Sequence, residues 1–193
     1  SDVYKRQINP RGAHGRYIGS ETCGGCHTQA YTSWQGSHHQ LAMAEPTAKT
    51  VIGDFADQTH VAGSVTSKFL NQNGVYSVVT DGAENKLTEY AVRYTFGISP
   101  LQQYLVDVGS GRLQALPLVW DARGADVQSS NPNSNSNQRW YHLAPQSAGA
   151  ADDPTHWTRG GQNWNHMCAD CHSTAVTKGY DAVSYTHLRA HET

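Results

Sequence analysis

Apolar and polar positions alternate most regularly between residues 64 and 120. The stretch "SVTSKFLNQNGVYSVVT" (64–80) reads as two strands joined at Asn73-Gly74, a pair of residues that suits the left-handed turn of a tight hairpin. "LTEYAVRYTF" (87–96) alternates again and puts Tyr90, Val92 and Tyr94 on one face. "QQYLVDVGSGRLQALPLVW" (102–120) predicts a further hairpin that turns at Gly109–Gly111. A β-rich block of about 60–120 follows, and a small antiparallel meander is its economical form.

The flanks follow a different rhythm. In "SETCGGCHTQAYTSWQGSHHQLAMA" (20–44), Ser20 is a candidate helix N-cap, and His27, Ala30, Tyr31 and Trp34 recur at helical spacing. Gly36 is placed to stop that helix, and Pro46 punctuates the chain again. The Asn/Ser-rich run at 124–138 reads as a mobile surface loop. Beyond it, "RWYHL", "DPTHWT" and "NWNHMCADCH" are dense in Trp and His and thin in aliphatics. This imbalance points to an apolar body other than protein lying against these aromatics. The expected fold class is therefore α+β, a small antiparallel β-meander between two short-helix or irregular segments that carry the cysteines.

Composition narrows the partners. Only 16% of residues are charged and the net charge is −2, which argues against a polyanion such as nucleic acid. No apolar run reaches the roughly 18 residues of a membrane span. The ends of the chain stand apart. Residues 1–7 ("SDVYKRQ") and the stretch from 183 ("VSYTHL", then "RAHET") can be encoded by reverse-complementary DNA, as one adapter is when read from opposite ends of a fragment. They look like translated mosaic ends of a transposase-based sequencing library, so 1–7 and 183–193 are read as adapter-derived scars and 8–182 as the natural portion. His187 and His191 are accordingly not counted among the ligands.

The chain has four cysteines, all of them in two copies of one pentapeptide: "CGGCH" at 23–27 and "CADCH" at 168–172. Two thiols three residues apart can add across the two vinyl groups on one edge of a porphyrin, and the histidine that follows is then aimed at the iron. The pattern predicts two covalently attached c-type haems. Cys23, Cys26 and His27 would hold one, and Cys168, Cys171 and His172 the other. A single structural zinc on four thiolates leaves both histidines unexplained and requires ligand pairs unusually far apart. A thioredoxin-like pair lacks its βαβ surroundings, and disulfides do not call for the histidines.

Each iron takes a second axial ligand or keeps an open face, and that choice separates an electron carrier from an enzyme. The candidate distal ligands are His39, His38, Met43, His60, His142 and His156. His142 and His156 stand beside Trp140, Tyr141 and Trp157, whereas His166 is too close to Cys168 to reach the opposite face.

The ordered set "YIGSETCGGCHTQAYTSWQGSHHQLAM", "YTFGISPLQQYLV", "GRLQAL", "QRWYHL" and "HWT…NWNHMCADCHS" resembles the multihaem cytochrome c family whose members often carry C-terminal tetratricopeptide repeats. The likeness runs from Arg16 to Tyr180. It implies an exported protein that passes electrons between haems and redox partner proteins, with further haem motifs and repeats downstream. It also implies a ligand role for the histidine after Ser-x, which is His39 behind Ser37. The alternatives are a multihaem redox enzyme with one open iron, for which no catalytic residue stands out, and a zinc-stapled module.

Overall fold

A computed structural model of the chain describes residues 19–109, 111–123 and 138–173, together with the backbone of 177–179 and 187–189. Most of it is antiparallel sheet. After α1 (Ser20–Gly24), α2 (Thr28–Trp34) and a 3-10 turn at Gln40–Ala42 come β1 (Met43–Ala44), β2 (Ala56–Ala62), β3 (Val65–Gln72), β4 (Val75–Asp81), β5 (Leu87–Phe96), β6 (Leu101–Asp107), β7 (Leu113–Asp121) and β8 (Arg139–His142). Two further short helices, α3 (Trp164–Met167) and α4 (Ala169–His172), precede a separate hairpin of β9 (Thr177–Gly179) and β10 (His187–Arg189). The loop read at 124–138 falls, Gln138 apart, outside the described residues.

Strands β2 to β8 pair each with the next in chain order, and β1 pairs with β5. The expected hairpin turns at Asn73 (φ 54°) and Gly74 (φ 86°), and Asn71 Oδ1 accepts from the Gly74 N–H at 2.9 Å. The expected α+β class does not hold. The meander curls into a nearly closed β-barrel, with four short α-helices among the described residues. Two strands of the β2–β8 path extend beyond the expected block. The segment before residue 60 carries most of β2, and "RWYH" forms β8 on the far side of β7.

The barrel interior explains the surplus of aromatics. Trp140 of β8 stacks on Phe69 of β3, with ring centroids 3.6 Å apart and planes 7° apart, so the last strand closes onto the other end of the path. Phe55 meets Phe69, Tyr76, Tyr104 and Trp140 edge-on at 5.1 to 5.7 Å. These rings prefer offset or edge-to-face contact, and each removes a large apolar area from water. Trp140 Nε1 donates to the Asp54 carbonyl at 2.9 Å, and the Gly53 N–H donates to Tyr104 Oη at 3.0 Å. A Cβ at Gly53 would run into that hydroxyl and the Trp140 ring, so the segment can seal the barrel end only as glycine. Trp140 and Trp157, read from sequence as a shell for a non-protein group, belong to this interior.

One irregularity decides what lies outside the barrel. Val92 pairs with Val106 and Tyr94 with Leu105, so β5 carries one extra residue, Arg93, against β6. Such a bulge re-aims the side chains beyond it. Tyr90 and Val92 pack into the interior, whereas Tyr94 and Phe96 turn to the outer face with Leu105, Leu113 and Ala115. The expected single face for Tyr90, Val92 and Tyr94 is broken at that residue.

Candidate haem-attachment sites

Both C-x-x-C-H segments fold into the same turn. In the first, the Cys23 carbonyl accepts from the Cys26 N–H (3.2 Å) and the His27 N–H (2.9 Å). In the second, the Cys168 carbonyl accepts from the Cys171 N–H (3.1 Å) and the His172 N–H (3.1 Å). Each turn sets two thiols on one loop of chain with the histidine directly behind. All four cysteines are free. Among the described residues, no group of three or more His, Cys, Asp or Glu side chains is gathered as for a metal ion.

The surroundings of the two turns differ. Cys23, Cys26 and His27 are exposed, as are Cys171 and His172 of the second turn, but neither α1 nor α2 buries a residue, whereas the second turn buries Ala169. The local order comes from the segment itself. Tyr31 stacks with Trp34 at 5.8 Å, and the Tyr31 ring covers Gly24 so closely that a Cβ there would come within 2.9 Å of it. Helix α2 starts directly after His27, whose carbonyl accepts from the Tyr31 N–H at 2.9 Å. Helix α1 begins at Ser20 rather than being capped by its side chain, and Gly36, at φ 71°, marks the turn beyond α2.

The second turn is seated on the outer wall of β5–β7. Asn163 and Asn165, on either side of Trp164, clamp it there. Asn163 Nδ2 donates to Gln114 Oε1 at 2.9 Å, and its Oδ1 accepts from the His166 N–H at 3.2 Å. Asn165 Oδ1 accepts from the Leu113 N–H at 2.9 Å, and its Nδ2 donates to the Gly111 carbonyl at 3.0 Å. Trp164 and Ala169 are buried against Leu105, Leu113 and Ala115, with Met43, Tyr94, Phe96 and Cys168 partly buried around them. Burial pushes the Cys168 thiol up, and neighbouring Cys171 adds to the shift. The ring of His172 meets Phe96 edge-on at 5.0 Å and Trp164 at 5.8 Å. The Ser173 hydroxyl donates to Met43 Sδ at 3.5 Å.

The distal candidates are dispersed. His38 and His39 are exposed on the strap between α2 and β1, where Leu41 N–H donates to the Ser37 carbonyl at 3.0 Å and the Ser37 hydroxyl accepts from the Gln40 N–H at 3.3 Å. Met43, though only a few residues further, lies at the second turn. His60 on β2 is half-buried, and burial holds it below the usual imidazole range. His142 on β8 is held low chiefly by burial, and its Nδ1 accepts from the Ala144 N–H at 3.0 Å.

His156 is enclosed and committed. Its Nε2 lies 2.9 Å from Asp81 Oδ2 and its Nδ1 2.9 Å from Thr158 Oγ1. Asp81, at the end of β4, also accepts from the Gly149 N–H (2.7 Å) and the Thr80 hydroxyl (3.0 Å). Burial opposes the charge of Asp81, yet these hydrogen bonds outweigh it and hold the carboxyl below its ordinary range. In this arrangement Nε2 fastens the 145–160 segment to the barrel through Asp81, while Nδ1 is engaged within the segment by Thr158. The pairing spans distant stretches and left no local mark in the sequence. Phe96 and the Asn163–Asn165 clamp were likewise not singled out. The "NWN" spelling directly before the second pentapeptide was the available signal.

With this geometry in hand, comparison with known families is informative. Residues 22–78 match the family described as cytochrome c554 and c-prime. The match supports a cytochrome c family, and with it haem c and electron transfer. It takes in the first pentapeptide, the strap with His38, His39 and Met43, and the barrel as far as β4. The second pentapeptide lies beyond the matched interval. Comparison with curated proteins and with solved structures gives no match. Among the described residues, no helix is long and apolar enough to cross a membrane.

Proposed function

We propose that this chain is the diheme portion of an exported multihaem cytochrome c that carries electrons to and from redox partner proteins. The observation that carries this reading is the repeated turn, in which one cysteine carbonyl accepts from both the second cysteine and the histidine in each pentapeptide. Cys23, Cys26 and His27 would hold one haem, and Cys168, Cys171 and His172 the other. A bound haem iron supplies the one-electron redox change. The chain's own residues attach, orient and shield. The thiols anchor each porphyrin edge, the histidines present an imidazole nitrogen, and the outer wall of β5–β7 excludes water on one side of the second turn. For the distal positions the favoured residue is His39, on its exposed strap. Met43 is the candidate for the second site, a reading supported by the hydrogen bond from the Ser173 hydroxyl to its sulfur, and His60 and His142 are the remaining candidates.

The test is an optical spectrum, oxidised and dithionite-reduced, of protein made in the periplasm with the haem-attachment machinery. A sharp c-type α-band at two haems per chain, unmoved by carbon monoxide, is the expected result. A carbon monoxide shift would replace the carrier with a redox enzyme that keeps an open iron. A colourless protein with stoichiometric zinc would overturn the haem reading.

A further inference from the structure

The second turn meets a built wall and the first does not, and this asymmetry has a functional meaning that rests on the haem reading above. We infer that Phe96 and Trp164 are positioning residues that fix the plane of the His172 imidazole, and with it the electronic properties of the second haem alone. The ring of His172 is held in an aromatic corner, with Phe96 edge-on (5.0 Å, 82°) and Trp164 tilted (5.8 Å, 35°). Phe96 and Trp164 are themselves in edge contact at 4.9 Å, so the two walls brace each other. Trp164 is 1% exposed, and the two asparagines beside it are tied to β7, so it has no freedom to drift. Phe96 reaches the corner because the bulge at Arg93 turns the end of β5 outward. The link from Ser173 to Met43 closes the C-terminal side of the same turn.

Residues that contact an axial histidine without touching the metal set its ring orientation and ligand strength, and this is a recognised lever on an iron's potential. The orientation of an axial imidazole plane also sets the anisotropy of a ferric haem's magnetic signal. His27 and His172 are both exposed, but the aromatic pair near His27, Tyr31 and Trp34, stack on each other, whereas Phe96 and Trp164 both meet the His172 ring. The two sites should therefore respond differently to substitutions at the wall.

The experiment uses the haem-loaded full chain and compares wild type with Phe96→Leu, Trp164→Leu and Trp164→Phe by electron paramagnetic resonance and redox titration. His172→Ala identifies which ferric signal belongs to the second haem. Phe96→Leu and Trp164→Leu should shift or broaden that signal and move its midpoint potential, while the first haem's signal and potential stay at wild-type values. Trp164→Phe, which keeps an aromatic wall, should restore most of the wild-type signal. Phe96→Leu keeps apolar bulk at a partly exposed position, so the comparison stands even if Trp164→Leu fails to fold. Signals and potentials at wild-type values in Phe96→Leu, or equal movement of both haems, would overturn the inference. A wild-type chain that takes up no haem would instead overturn the haem reading itself, before any variant is compared.

Discussion

The two pentapeptide turns have the same internal hydrogen bonds but different foundations. In the first, the residue after the leading cysteine is Gly24, covered by Tyr31 from the same short helical pair, and nothing in α1 or α2 is buried. In the second, the corresponding residue is Ala169, 1% exposed and packed on the barrel's outer wall. The covalent chemistry needs only the local turn, which the pentapeptide itself can form. What surrounds the turn is a separate matter, set by whether a folded surface is available nearby. The second site is part of the barrel's packing; the first is joined to it through the strap at 36–43, where the Gly97 N–H donates to the Ala42 carbonyl at 2.9 Å.

The contrast breaks most sharply if the barrel fails. Trp140→Ala removes the ring that closes β8 onto β3 and should cost about 3–5 kcal/mol in urea unfolding. In the haem-loaded chain, the second haem's spectrum should change with the barrel transition and the first haem's should not. Simultaneous change at both would erase the distinction.

Asp81→Ala should cost about 1–3 kcal/mol, because it leaves the buried His156 and the Gly149 N–H without their acceptor. The same carboxyl predicts a pH dependence of defined sign. A folded-state value held below the ordinary one stabilises the protein above the usual carboxylate range, and that contribution is lost as pH falls toward the depressed value. The melting temperature of wild type should fall more steeply on acidification than that of Asp81→Asn.

A matched pair of spacer substitutions gives the finest test. Ala169→Val overfills a closed position and should cost about 1–3 kcal/mol. Gly24→Ala asks only the half-buried Tyr31 ring of the same short helical pair to move, away from the barrel core, and should leave global stability within about 0.5 kcal/mol of wild type. Equal costs at the two spacers, measured by denaturant midpoints, would show that the first turn is also seated on the barrel.

Much of this was legible in sequence where the physics is local. Asn73-Gly74 turns because two adjacent residues accept positive φ, and the pentapeptides announce their chemistry through spacing alone. The barrel was not legible, because closure depends on Trp140 meeting Phe69 across the whole sheet path, and a tryptophan near cysteines reads equally well as cofactor shell. The bulge escaped for a related reason. Alternation along "LTEYAVRYTF" is unbroken in composition, and only pairing with β6 reveals that Arg93 is supernumerary. His156 stood out as a candidate ligand, but its partner Asp81 lies in a strand with no titratable neighbour to mark it.

That extra residue has a consequence for how the molecule can change over time. Because Arg93 splits β5 into an inward-facing length and an outward-facing one, a single strand answers to two separate demands. Replacements at Tyr90 and Val92 are judged by whether the chain folds, and those at Tyr94 and Phe96 by what the outer wall holds. Mutation can thus retune the wall without reopening the question of the fold, and the barrel can drift in sequence while the wall stays in place.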